Sequence, residues 1–193
     1  MIAPAVVATV WTIGHSTRPL EEFLGLLAIH GVQAIADVRR FPGSRRHPHF
    51  GREALQASLA GRGVDYLWLP QLGGRRTPRP DSVNSGWRSA SFRGYADHLG
   101  SAEFAGGFAL LLELAERRRT AIMCSEVLWW RCHRALIADV LLARGVTVLH
   151  IIDGKPPTTH VLRPPARMVV GQLGYPAEQP GIDLDQGAGH GSD

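Results

Sequence analysis

The stretch Ile122–Arg134, IMCSEVLWWRCHR, concentrates the side chains most able to do chemistry: Cys124, Glu126, Trp129, Trp130, Arg131, Cys132, His133 and Arg134. Three chemistries fit it. Cys124, Cys132 and His133, joined by His15, offer soft or borderline donors for zinc or iron. The Cys-x7-Cys-His spacing matches no standard finger or ribbon, and the CxxCH of covalent haem attachment is absent. Alternatively, Cys132 is a thiolate nucleophile, since a helix expected to start near Arg131 and its cationic neighbours would lower the thiol pKa. A phosphatase loop fits poorly, because Arg131 lies one residue too far from Cys124 and Glu126 sets negative charge where phosphate would sit. Glu126 is the third candidate. Beside Trp129 and Trp130 its carboxyl would be partly desolvated and its pKa raised. With Asp37 it could then divide acid, base or nucleophile roles, as in glycosyl-bond chemistry. Each candidate has a bland counterpart: buried structural cysteines, or a Glu126 paired with Arg39 or Arg134.

Other polar residues qualify by position. In Gly14-His15-Ser16 the histidine is a candidate general base or substrate hydrogen-bond partner, and Gly14 lets the backbone approach a ligand. Ser16 has no nucleophile-elbow sequence around it, which leaves it a binding role. Arg39, Arg45, Arg75, Arg131 and Arg134 offer forks for phosphate, and Tyr95, Trp129 and Trp130 offer flat faces for bases. The alternative for these arginines is a solvated surface role. Neither GxGxxG nor GxxxxGK[ST] occurs, so a dinucleotide or Walker-type site is not supported.

The elements that must position these residues alternate between strand and helix. Apolar runs predict strands at 6–13, 34–38, 65–69, 121–124 and 146–152, and helical spacing predicts helices at 20–29, 51–61, 92–99, 103–118 and 131–144. Residues 70–90 form a long Gly/Pro/Arg/Ser-rich connection, and such loops tend to be functional or mobile. Alternation predicts an α/β three-layer sandwich with a mainly parallel five-stranded sheet, Rossmann-like or flavodoxin-like. The expected strand order is 3-2-1-4-5. That order makes the gap between strands 1 and 4 a topological switch point, and His15, Asp37, Arg75, Cys124 and Glu126 all follow C-terminal strand ends.

Composition is that of a globular protein, with 45% hydrophobic and 20% charged residues in a chain of 193. No run approaches the roughly 20 apolar residues of a membrane span, and the N-terminus lacks the basic region of a signal peptide. Two cysteines and no export signal suggest the cytoplasm and free thiols. The tail 176–193 holds four acids and neither Lys nor Arg, so residues 1–175 carry 21 basic against 13 acidic residues, a formal +8. Twenty of those bases are Arg, which fits either GC-rich coding or phosphate binding. We expect one domain over 1–175 and a disordered acidic tail over 176–193.

TIGHS (12–16), DVRRFPGSRRHPHF (37–50), LGG (72–74), MCSEVLWWRCHR (123–134) and VLHI (148–151) together resemble the DUF488 family, a domain of unknown function. The resemblance covers most of residues 9–152. Many relatives have an Asp-Pro pair between the Glu and the second Cys, where this chain has Val127-Leu128-Trp129-Trp130. The resemblance implies an α/β sandwich with a pocket and supplies no established reaction.

The residues therefore point to an enzyme, a hydrolase or transferase, acting on a phosphate- or base-bearing substrate such as a nucleotide or nucleic acid. Glu126 would be acid/base or nucleophile, with His15, Asp37 and Cys132. Arg39, Arg45, Arg75, Arg134, Ser16, Tyr95, Trp129 and Trp130 would bind substrate. No cofactor is required by the sequence, though a metal at Cys124, Cys132 and His133 is possible chemistry. The rival is a nucleic-acid-binding module that does no chemistry; a membrane partner is not expected.

Overall fold

The computed structural model describes residues 9–43 and 46–177. Five strands, β1 (Thr9–Gly14), β2 (Ala34–Asp37), β3 (Asp65–Trp68), β4 (Thr120–Cys124) and β5 (Thr147–Ile151), pair in parallel. A short sixth, β6 (Thr158–Thr159), adds antiparallel to β5. Helices α1 (Leu20–Ile29), α2 (Arg52–Ala60), α3 (Ala90–His98), α4 (Ala102–Arg117) and α5 (Arg134–Ala143) connect them. A hairpin of β7 (Arg167–Val169) and β8 (Gln172–Gly174) follows, which periodicity does not disclose because its strands are three residues long. Among the described residues no helix is long and apolar enough to cross a membrane. The expected strand residues 6–8, Arg45 and tail residues 178–193 lie outside the described residues.

The sheet is mainly parallel, as the alternation predicts, but its order is 3-2-4-1-5-6 rather than 3-2-1-4-5. The expectation assumed that consecutive strands are neighbours, which is a tendency and not a law. Burial decides otherwise. All five residues of β4 are buried, whereas β3 begins exposed and is otherwise half-buried. A strand apolar on both faces belongs in the middle of the sheet, between β2 and β1.

Strand alternation divides the core into two layers. Ile13, Ile35 and Met123 face α1 and α2, packing with Phe23, Leu27, Leu55 and Leu59. Val10, Ala36, Ile122, Cys124 and Val148 face α3, α4 and α5, packing with Tyr95, Phe108, Leu136 and Ile137. Cys124 thus lies on one face of the sheet, while Asp37, two residues beyond Ile35, lies on the other. The 70–90 connection is held by the Asp97 carboxylate, which accepts from the Arg79 amide (2.8 Å), Ser82 Oγ (2.6 Å) and Asn84 Nδ2 (2.8 Å).

The register levels the strand ends that matter. Gly14 pairs with Cys124, and Asp37 with Met123. Backbone hydrogen bonds run past the strands, from His15 N to Cys124 O (3.1 Å) and from Ser16 N to Ser125 O (2.7 Å). The β1 exit is so tight that a Cβ on Gly14 would lie 1.8 Å from the Glu126 carbonyl oxygen and 2.8 Å from Val127 Cα. Backbone cannot move aside as a side chain can. Gly14→Ala is expected to cost about 2–3 kcal/mol, read as a lower denaturation midpoint with unchanged slope in urea; wild-type stability would refute this close approach.

Candidate functional site

A cleft of about 550 Å³ opens at the C-terminal ends of β1, β2 and β4. Its floor is Cys124, Cys132, His133 and Tyr95; its walls include His15, Ser16, Arg39, Ser125 and Glu126, and Arg40, Phe41, Arg75 and Arg131 contribute to its rim. This is the predicted edge of the sheet, at the β1/β4 boundary.

The floor is a convergence of soft donors. Cys124 Sγ, Cys132 Sγ and a ring nitrogen of His133 all lie within 4.8 Å of one another. Cys132 Sγ is 3.6 Å from His133 Nδ1. His133 Nε2 is 3.1 Å from the Val38 carbonyl, which can only accept, so Nε2 carries a proton and Nδ1 is the nitrogen turned toward Cys132. Gly74 keeps that nitrogen accessible, since a Cβ there would sit 2.9 Å from Nδ1. His15, the fourth donor considered from sequence, is not in the cluster.

The two thiols are electrostatically unlike. The hydrogen bond with Cys132, then burial, pushes the Cys124 thiol up to about 12. The same hydrogen bond, together with the neighbouring Arg134 charge, holds Cys132 down at about 6. Arg134 Nε is 3.5 Å from Cys132 Sγ, and its Nη2 donates to the carbonyls of Glu126 and Val127. The low thiol pKa expected from a helix start has a different origin. A short 3-10 turn, Trp129–Arg131, precedes Cys132, and α5 begins at Arg134 rather than Arg131. Proton sharing with Cys124 and the guanidinium of Arg134 supply the effect.

Several predicted residues are committed elsewhere. Asp37 is fully buried on the opposite face and lies outside the cleft lining. It accepts from Arg39 through both oxygens (2.9 and 2.5 Å) and from Tyr66 OH (2.6 Å). It is therefore a structural counter-ion, not a carboxylate facing Glu126. Arg39 is 7% exposed and also donates to the Phe50 carbonyl, so its fork is already occupied. Arg134 is 0% exposed and holds the 126–127 backbone, not a ligand. Tyr95 forms floor, with its ring 4.9 Å from that of His133 and its hydroxyl donated to Leu72 O (2.6 Å). Burial raises that hydroxyl well above its ordinary pKa.

The tryptophans do not desolvate Glu126. Trp129 is buried and stacked on His150, Trp130 packs edge-on against Trp129, and neither lines the cleft. Glu126 is exposed on the cleft wall. Ser16, at φ 46°, and Arg75, at φ 60°, line the cleft in the left-handed region that non-glycine residues rarely adopt. Sequence reasoning missed Arg40 and Phe41. Phe41 is 67% exposed, with the Arg40 and Arg75 guanidinium carbons 5.8 and 6.0 Å from its ring centroid. Its signal was an apolar side chain inside the polar 37–50 motif.

A family model described as "Domain of unknown function DUF488" matches residues 19–141. The chain belongs to the DUF488 family. No curated protein and no solved structure matches it. The DUF488 match spans the cysteines, Glu126 and Arg39; His15 and everything after α5 lie outside it.

His15 in this DUF488 protein has both ring nitrogens occupied. Nδ1 lies 2.9 Å from Ser16 O and donates to it, so Nε2 must accept from Arg39 Nη1 at 3.2 Å. The ring stacks on Phe50 at 4.1 Å. Burial first, and the Arg39 charge second, lower its pKa from 6.5 to about 4. The lone pair a general base needs is therefore engaged, and the imidazole is neutral near pH 7. An unfolded histidine gains its proton near pH 6.5, while this folded one resists until about pH 4. Protons in that window favour the unfolded state. Stability is expected to decline as pH falls from about 6.5 to 4, by up to about 3 kcal/mol from His15. Urea titrations across pH check this, and His15→Gln should flatten the curve there; an unchanged pH dependence in that variant would remove His15 from the account.

Proposed function

We propose that this DUF488 protein is a metal-assisted hydrolase of small anionic substrates carrying phosphate or a nucleobase. The carrying observation is the convergence of Cys124, Cys132 and His133 on the floor of an open cleft. Two thiolates and one imidazole are a donor set suited to zinc, and a cleft above three ligands leaves the open position that separates catalytic from structural sites. The surroundings support it. His133 is oriented by the Val38 carbonyl, and Cys132 receives an N–H from Arg134, the kind of outer contact that tunes a ligand. A divalent metal there supplies a Lewis acid and lowers the pKa of water toward neutrality.

The chain's own residues divide the remaining work. Glu126, exposed beside the donors, is placed to accept and return a proton. Arg40, Arg75 and Arg131 supply positive charge around the cleft, and Phe41 gives a flat apolar face for a base. A concave site of this volume favours a small molecule over a long strand of nucleic acid.

A second reading rests on Arg134. With no metal, its charge and the Cys124 hydrogen bond leave Cys132 as a thiolate near neutral pH, which is a nucleophile.

Metal analysis of untagged protein separates the two. One metal per chain is expected, lost in the Cys124→Ser/Cys132→Ser double variant. Metal-free wild type with two titratable thiols would overturn the hydrolase reading in favour of the thiolate. On any nucleotide or phosphate ester turned over, Glu126→Gln is expected to lower kcat by about 10²–10⁴-fold with binding retained. Salt-steep nucleic-acid binding that ignores Glu126→Gln would instead support a binding module.

A further inference from the structure

A second buried polar chain lies outside the cleft lining. Tyr175 OH donates to Asp139 Oδ2 (3.0 Å), His160 Nε2 lies 2.8 Å from Asp139 Oδ1, His150 Nε2 lies 2.9 Å from His160 Nδ1, and Thr12 Oγ1 lies 2.8 Å from His150 Nδ1. A carboxylate only accepts, so His160 donates to Asp139; with both imidazoles neutral the direction propagates, His150 donating to His160 and Thr12 to His150. None of the five is more than 5% exposed. Burial first, with the Arg134 and Arg163 charges among the further causes, lowers His150 to about 3, so its imidazole is neutral near pH 7.

The chain ends on an aromatic ring that belongs to the site. His150 lies flat on Trp129, with centroids 3.9 Å apart and planes within 6°, and Arg163 sits 5.2 Å from the same indole. Trp129 is the buried anchor of the segment between the two cysteines. Its carbonyl accepts from the Cys132 amide (3.1 Å), and the Glu126 and Val127 carbonyls of that segment hold Arg134. His160, Arg163 and Tyr175 all come from residues 158–177, beyond the 19–141 family match. The C-terminal segment thus reaches back to the loop that carries Glu126.

We propose that Tyr175, Asp139, His160 and His150 are positioning residues, a hydrogen-bonded relay that fixes Trp129 and through it the 125–131 segment that brings Glu126 to the cleft. None of them lines the cleft. The proposal rests on the reading of the cleft as the functional site, but not on whether a metal fills it.

Amide hydrogen exchange of the full chain, with Tyr175→Phe and His160→Gln compared to wild type, tests it. Peptides covering 125–131 are expected to exchange at least threefold faster in Tyr175→Phe and tenfold faster in His160→Gln, with β4 and α5 within twofold of wild type. Trp129 emission, isolated as the difference from Trp129→Phe in each background, should rise as the indole leaves its imidazole. Unchanged exchange over 125–131, or a uniform rise everywhere, would overturn the proposal. If His160→Gln does not fold, Tyr175→Phe, which loses one hydroxyl, decides alone. Cobalt(II) titration adds the link to function, with about tenfold weaker binding expected in His160→Gln. A wild type that takes up no cobalt would sink the metal reading and leave the exchange result standing.

Discussion

Arg134 is fully buried, and the buried arginine–carboxylate pair of the described residues, Arg39–Asp37, does not include it. A guanidinium out of water costs several kcal/mol unless compensated. Its partners are two carbonyls and the Cys132 sulfur, whose thiol the guanidinium helps hold below its ordinary pKa. This couples three things that would otherwise vary independently: the ionisation of Cys132, the path of the 126–127 backbone and the start of α5. The cleft floor is electrostatically defined because one cation has nowhere else to go.

On the other side of the sheet a parallel arrangement is closed rather than open. Arg39 is satisfied by Asp37, Phe50 O and His15, while Tyr66 completes Asp37. The hydrogen-bonding capacity of this group is spent inward, which makes His15 part of the wall. The two arginines look alike in sequence, each in a polar stretch that follows a strand, although Arg39 lies two residues after β2 and Arg134 opens α5. One neutralises a carboxylate and is inert; the other stabilises a sulfur that faces solvent-accessible space.

Much of the architecture was legible. The five parallel strands and five helices follow from apolar periodicity, and α1 runs Leu20–Ile29 as its Leu and Phe spacing predicts. Strand order was less so, because the centrality of β4 shows in burial on both faces, which a run of TAIMC shares with other apolar runs. The 158–174 strands were invisible, since two- and three-residue strands carry no period. Of the site, Cys124, Cys132, His133, Glu126 and Arg75 line the cleft as their positions after strand ends suggested. Asp37 does not, because strand alternation puts it on the opposite face, and Arg134, Trp129 and Trp130 do not, because α5 and the 3-10 turn before it direct them to other partners.

The sequence by itself determined the inventory and the neighbourhood: strand ends loaded with Cys, His, Glu and Arg, on elements whose alternation forces a parallel sheet. Local pattern suffices for that, because both signals lie within a dozen residues. Tertiary structure alone decided which of those groups are free. His15 and Arg39, 24 residues apart, consume each other's capacity, and Asp139, His160 and Tyr175 meet only after β5 and the C-terminal segment close over α5. Whether a polar side chain is a reagent or a brace depends on partners distant in sequence. No spacing rule encodes those partners, since a hydrogen bond is satisfied by geometry in three dimensions.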